Sequence, residues 1–279
     1  MMRAAVVQSD CFLGDISRNV ATHVRFIRDA AEAGATLVVF PELSLSGYLL
    51  EDRVKDIALT ARQVAALFED AGLPDIVVGV GFPERTRGAI YNAYALIRCG
   101  AKKADIIGVQ RKVNLPTYGM FDEARHFRAG SSLCAYELPG GATAAVLICE
   151  DAWHPGLTVA LAQLPDGMPH LIIVPAASPS RGYRGKRPSN LEGWDHAAEH
   201  FARVYGASTL TAQRVGVEDS LIFAGGSTAT DHNGSITRAA LFTEETIIVD
   251  IDIEALSRLR AKAPVVSARD RDILRSLFA

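Results

Sequence analysis

The chain is built on one repeated device: short, nearly continuous apolar runs, each a few residues long, separated by longer segments with helical periodicity. Arg3 to Gln8 and Thr36 to Phe40 are two such runs, and Asn19 to Ala33 between them is an amphipathic helix closed by Gly34, so the chain opens β-α-β. Further β-like runs are predicted at Asp75 to Gly79, Tyr91 to Arg98, Asp105 to Gln110, Ala142 to Ile148, Leu171 to Pro175, Thr209 to Arg214, Gly226 to Thr230 and Thr246 to Ile251. Helical patterns lie at Arg53 to Ala71, Pro155 to Leu164, Pro188 to Tyr205 and Asp270 to Leu277. Runs that are apolar at almost every position are buried on both faces, which predicts a layered α/β domain with helices on its outer faces. No internal repeat and no Gly/Ser-rich or Pro-rich linker divides the chain, so a single domain over residues 1–279 is expected. Ala177 to Asn190 reads as a long polar loop able to cover a pocket.

Composition narrows the function classes. With 279 residues, 49% hydrophobic and 22% charged at a net charge of −3, the chain can bury a substantial core and is not of the disordered type. Its basic runs are no longer than pairs such as Lys102-Lys103 and Arg111-Lys112, so there is no electrostatic footprint for nucleic acid or an anionic membrane. A small-molecule substrate is expected. The start MMRAAVVQSD lacks a signal-peptide core and no apolar stretch approaches membrane-spanning length, which predicts a cytoplasmic protein. Cys11, Cys99, Cys134 and Cys149 show neither CxxC nor metal-ligand spacing, so neither a disulfide framework nor a metal centre is expected.

Cys149 differs from the other three because it ends an apolar run and is followed at once by Glu150 and Asp151. Negative charge beside a thiol disfavours the thiolate, so a nucleophilic cysteine there requires a base and a cation from elsewhere. The histidines, His23, His126, His154, His170, His196, His200 and His232, include none at a strand end flanked by a tight turn, although a Cys-His pair stays open. Glu42 follows a buried run and a proline in LVVFPELSLSGY, where it reads either as a rim carboxylate or as a helix N-terminal acid or surface turn residue. Lys112 follows another run, and the Gly-containing loop behind it carries Glu123; alone, Lys112 reads more readily as a solvated edge charge. Three strand ends can thus present a thiol, a carboxylate and an ammonium, the parts needed for acyl transfer from an amide. Spacing alone leaves their convergence open.

FPELSLSGY, RKVNLPTYGMFDEARHF and VLICEDAW resemble the three signature segments of the nitrilase superfamily, the carbon-nitrogen hydrolases, in the right order and across most of the chain. NLPTYGMFDEARHF, LICEDAWHPG and VGVEDSLIFAGGSTATDHNG are similar to one branch in particular, the glutaminase domain of glutamine-dependent NAD synthetases. The resemblance implies a four-layer α-β-β-α sandwich and a Glu-Lys-Cys triad with Glu42 as general base, Lys112 as oxyanion-stabilising cation and Cys149 as nucleophile. It makes Glu123 a second glutamate that supports the lysine, adds the Glu150 backbone N–H to the oxyanion hole, and leaves Asp151 to cap the following turn. Tyr48, Tyr118, the Glu150 carboxylate and Ser178 match substrate-binding positions, with Arg184 or Lys186 meeting a substrate carboxylate. No cofactor is implied.

Two departures accompany the likeness. The chain ends at Ala279 without an SGGxDS-type phosphate loop, and Val217-Glu218 stands where that branch shows Gly-Gln. A thiol amidohydrolase acting on glutamine or a glutamine-like ω-amide is therefore expected, either supplying ammonia to a separate ammonia-using synthetase as its partner or acting as a freestanding amidase whose substrate resembles glutamine. A nitrilase using the same residues, a catalytically silent binding protein of this fold and a redox protein using Cys149 remain as alternatives. By analogy with the family, a homo-oligomer of two or more subunits is expected, with a C-terminal helical arm near 252–279 as one means of pairing.

Overall fold

The computed structural model describes residues 1–262 together with 272, 273 and 276. Its apolar runs form two six-stranded sheets. The first has the order Glu245–Ile251, Met2–Gln8, Leu37–Val39, Ile76–Arg85, Ile90–Gly100, Lys103–Arg111. The second has the order Ile236–Arg238, Thr228–Thr230, Ser208–Gln213, Leu171–Ala176, Thr143–Val146, Tyr136–Glu137. Strand Met2–Gln8 runs parallel to Leu37–Val39 and antiparallel to Glu245–Ile251, so the N-terminal strand sits inside its sheet.

The alternation of side chains explains the layers. Ala4 and Val6 join Ala144, Val146 and Ile173 in the space between the sheets. Their neighbours Ala5 and Val7 turn the other way, against Phe26 and Ile27 of helix Ile16–Glu32 and Val64 and Phe68 of helix Ala61–Glu69. In the second sheet Ala145, Leu147, Ile172 and Val174 are covered by Leu161, Leu191, Trp194 and Phe201 from helices Pro155–Ala162 and Asn190–Tyr205. Both faces of each central strand are dry, so the strands are continuously apolar, each large side chain contributing about 1.5–3 kcal/mol by burial. The result is the four-layer α-β-β-α sandwich.

The segment expected as one helix from Arg53 to Ala71 is broken. It forms a 3-10 turn at Glu51–Arg53, a short helix at Val54–Ile57 and a second helix at Ala61–Glu69. Between them Leu59 is extended, its N–H donating to the Pro83 carbonyl at 3.0 Å and its carbonyl accepting from Arg85 N–H at 2.8 Å. Thr60 and Gln63 then form a capping box that starts the next helix. The expected strand at Asp75 to Gly79 continues through Pro83 to Arg85, and the N-terminal helix begins at Ile16 because Asp15 caps it. Helix Ile253–Lys262 opens the expected C-terminal arm, whose remainder, with the helix expected at Asp270 to Leu277, falls mostly outside the described residues. Among the described residues no helix is long and apolar enough to cross a membrane.

One polar group of the first helix bears on the site. His23 is buried and stacked on Phe40, its Nδ1 2.7 Å from the Asn19 carbonyl oxygen and its Nε2 3.0 Å from Ser44 Oγ. A carbonyl only accepts, so Nδ1 carries the proton and Nε2 accepts from Ser44. Burial pushes the His23 pKa down to about 4 against an ordinary 6.5, with the Asn19 hydrogen bond opposing. The folded protein keeps this ring neutral while the unfolded chain protonates it, so stability falls as the pH drops from 6.5 through about 4. The loss is about 3 kcal/mol. His23→Gln is expected to show a shallower loss of stability between pH 7 and 4 than the native protein, measured by urea unfolding.

Candidate active site

Strand Leu37–Val39 delivers Glu42 into a tight turn at the sheet rim. Leu43 holds a left-handed backbone at φ 49°, and the turn lies directly on Gly81, where a Cβ would fall on the Leu43 amide nitrogen. Leu45 N–H donates to the Gly81 carbonyl at 3.0 Å, and Gly81 N–H to Ser44 Oγ, the partner of His23, at 3.3 Å. Thus pinned, Glu42 is 1% exposed. Its Oε1 accepts from Lys112 Nζ at 2.7 Å and from Asn92 Nδ2 at 2.8 Å, and its Oε2 accepts from Ala177 N–H at 2.9 Å.

Lys112, just past strand Lys103–Arg111, is fully buried, and its ammonium also donates to Glu123 Oε1 at 2.7 Å. Burial alone would lower its pKa; the Glu42 and Glu123 carboxylates outweigh that and hold it well above the ordinary range. Glu123, in the short helix Glu123–His126, also accepts from Tyr48 Oη at 2.6 Å. Burial raises the Glu123 carboxyl, with Lys112 opposing. Tyr48 is raised by burial and then by the Glu123 and Glu42 charges, so its hydroxyl keeps its proton and donates.

Cys149 opens the 3-10 turn Cys149–Trp153 after the chain has left strand Thr143–Val146. Its φ of 49° is left-handed, a strain on the order of 1–3 kcal/mol of the kind seen at nucleophile elbows. Burial first, then the Glu42 and Glu123 charges, raise the thiol pKa well above its ordinary value, while Lys112 pulls the other way. The resting thiol is therefore held in its protonated form. Asp151, expected as a cap, makes no such bond: it is fully buried and accepts from Val113 N–H at 3.2 Å and from Asn114 N–H at 2.7 Å. It therefore ties the cysteine turn to the residues that follow Lys112.

The remaining expected residues divide into two groups. Tyr118 Oη donates to Glu150 Oε2 at 2.9 Å, and Phe121 meets Tyr118 and Tyr48 edge-on at centroid distances of 5.7 and 6.4 Å. Ser178 follows Ala177, the N–H partner of Glu42, and accepts from Asn190 Nδ2 at 3.1 Å. Arg184, by contrast, is 80% exposed and paired with Glu192 at 3.2 Å, while Lys186 is exposed in the turn of hairpin Tyr183–Arg184 with Arg187–Pro188. The basic group placed against the aromatic wall is Arg181, 5.5 Å from the Phe121 ring centroid and close enough to lower Tyr118 against its burial.

Asn92, Phe121 and Arg181 were not anticipated. Asn92 had a signal: a lone amide inside the otherwise apolar run IYNAYALI, buried where only a hydrogen-bonded amide is tolerated. Among the described residues no group of three or more His, Cys, Asp or Glu side chains is placed to hold a metal ion.

The family model described as carbon-nitrogen hydrolase matches residues 3–261. The glutamine-dependent NAD(+) synthetase of Thermotoga maritima is 33% identical over 270 residues, covering 94% of this chain and 44% of that protein. The structure of the glutamine-dependent NAD+ synthetase of Acinetobacter baumannii superposes with a TM-score of 0.78 at 29% identity, covering 91% of this chain and 46% of that one. An amidase of Nesterenkonia sp. AN1 shares the fold with a TM-score of 0.73 at 22% identity, covering 94% of this chain and 98% of that one. The chain thus spans less than half the length of the synthetases it matches.

The buried ammonium is what lets the Glu42 and Glu123 carboxylates share one buried site. Lys112→Met is expected to destabilise the protein by about 3–5 kcal/mol, since two buried carboxylates lose their counter-charge. Adding Glu123→Gln in that background is expected to recover part of the loss, read from urea midpoints.

Proposed function

The chain belongs to the carbon-nitrogen hydrolase family, and on that premise we propose that it hydrolyses a small carboxamide, glutamine or a glutamine-like ω-amide, through a thioester on Cys149. The observation that carries this reading is the Lys112 ammonium bound at 2.7 Å to both Glu42 and Glu123, with the Glu42 and Lys112 charges acting on the Cys149 thiol.

The reaction follows from those contacts. Glu42 takes the thiol proton as Cys149 Sγ attacks the amide carbon, so negative charge passes from the carboxylate to the former carbonyl oxygen. Lys112 and the Glu150 backbone N–H stabilise that oxyanion. Glu42 returns its proton to the departing nitrogen, the C–N bond breaks, and ammonia leaves with the thioester behind it. Water, deprotonated by Glu42, then attacks the thioester, and the thiol is re-formed as the carboxylate departs.

The charges around the thiol fit an amino-acid amide. Glu150, held by Tyr118, suits an α-ammonium, and Arg181 suits an α-carboxylate through charge-assisted hydrogen bonds. The names of the relatives, glutamine-dependent synthetases and an amidase, support an amide over a nitrile. Ammonia released here is proposed to serve a separate ammonia-using synthetase, and the protein to act as a homo-oligomer of two or more subunits, which light scattering would establish.

Cys149→Ala is expected to lower ammonia release from glutamine by at least about 10⁴-fold in a folded protein. Mass spectrometry of the native protein after substrate should find an acyl adduct on Cys149, and turnover by the alanine variant would overturn the assignment. Arg181→Gln is expected to raise KM for glutamine about tenfold or more, the worth of one charge-assisted hydrogen bond, and to leave KM for a neutral aliphatic amide nearly unchanged. Arg184→Gln is expected to change both by less than about twofold, as befits an exposed ion pair; steady-state ammonia assays decide between the two arginines.

A further inference from the structure

A second buried ion pair lies outside the cysteine site and reaches it through the backbone. Arg214, 2% exposed, donates through Nη1 to Glu218 Oε2, through Nη2 to Asp10 Oδ1 at 3.1 Å, and lies over the Phe223 ring at 4.5 Å. Glu218 sits in the hairpin of Val215–Glu218 with Leu221–Ala224. Its second oxygen, Oε1, takes no part in the ion pair. It accepts the N–H of Tyr48 at 2.9 Å and also the N–H of Leu49. The preceding Gly47, at φ 82°, leaves room for this carboxylate: a Cβ there would stand 2.8 Å from Glu218 Oε2.

The residue held in this way is the one that orients Glu123. Tyr48 Oη donates to Glu123 Oε1 at 2.6 Å, the oxygen that also accepts from Lys112 Nζ at 2.7 Å. The geometry points to Glu218 as a positioning residue of the cysteine site: by gripping two successive N–H groups it sets where the Tyr48 hydroxyl meets Glu123, and through Glu123 where the Lys112 ammonium stands. Arg214 neutralises and aims the carboxylate so that one oxygen is left for the arm. A buried pair of this kind adds little stability over an apolar pair of similar volume. Its distinctive use here is the division of one carboxylate between a guanidinium and a backbone 170 residues away in sequence. This inference rests on Cys149 as the nucleophile, and its test includes a measurement that needs no substrate.

Removing Glu218 alone would strand the Arg214 charge, so both members are changed together. Arg214→Met with Glu218→Met removes the acceptor without leaving a buried charge, and Arg214→Gln with Glu218→Gln keeps an uncharged acceptor for the two N–H groups. The readouts are the pH-resolved rate of Cys149 alkylation by iodoacetamide, followed on the Cys149 peptide by mass spectrometry, and kcat and KM for glutamine. The methionine pair is expected to lower the alkylation rate and kcat about tenfold or more with KM within about threefold. The glutamine pair is expected to recover both rates to within about threefold of the native protein. In a Tyr48→Phe background the methionine pair should change either rate by less than about twofold, because the hydroxyl through which it acts is gone. An unchanged alkylation rate in the methionine pair, or the full effect persisting in the Tyr48→Phe background, overturns the inference. Normal Cys149 alkylation with no ammonia from any amide overturns the hydrolase reading instead, and the Glu218 coupling is then still read from alkylation.

Discussion

A lysine with no solvent exposure holds the arrangement together. Removing an ammonium from water costs several kcal/mol, and Lys112 is tolerated only because two carboxylates meet it at 2.7 Å. Each carboxylate is in turn fixed from elsewhere: Glu42 by Asn92 and the Ala177 N–H, Glu123 by Tyr48. Satisfying one buried cation therefore requires the ends of strands from both sheets, a short helix and a surface loop to arrive in register. The four-layer packing supplies that register, because a strand buried on both faces cannot slip by one residue without turning its side chains into the wrong layer.

The same arithmetic of charge governs the chemistry. Burial first, and then the surplus of negative charge that two carboxylates and one ammonium leave around the Cys149 thiol, raise it and keep its proton in place at rest. In the proposed reaction the proton moves to Glu42 only when a substrate carbonyl can accept the displaced charge beside Lys112. The acids that follow Cys149 in sequence do not add to this surplus in the way their proximity suggests. Glu150 is engaged by Tyr118, and Asp151 is spent on the backbone after Lys112.

How much of this was legible in the sequence depends on how local each cause is. The strands, and the rim positions of Glu42, Lys112 and Cys149, were legible because polar residues ending apolar runs are local patterns. The break at Leu59 was not, because its cause is pairing with Pro83 and Arg85, well over twenty residues on, and helical periodicity in Arg53 to Ala71 is blind to it. Arg181 and Arg184 are chemically equivalent in the string SRGYRGK; only the hairpin at Tyr183–Arg184 turns one toward Glu192 and the other toward Phe121. Asp151 looked like a cap because caps are what an acid after a strand most often does. Glu218 stood out in the sequence as a departure from the related branch, and its hold on Tyr48 became visible only in three dimensions.

The hydrogen bond from Ala177 N–H to Glu42 joins partners 135 residues apart and belonging to different sheets. Such a contact forms late, since distant pairings bring reward only after the intervening chain has been ordered. During synthesis the strands that carry Glu42 and Lys112 emerge before the strand that delivers Ala177, and the edge strand Glu245–Ile251 of their own sheet follows later still. Until the sheets have docked, Glu42 lacks its third hydrogen bond, and Cys149 lacks the packing that partly buries it. The electrostatic setting of this thiol is thus a property of the completed sandwich: a partly folded chain carries an ordinary cysteine, and the Glu42 and Lys112 charges act on it only once one sheet has docked on the other.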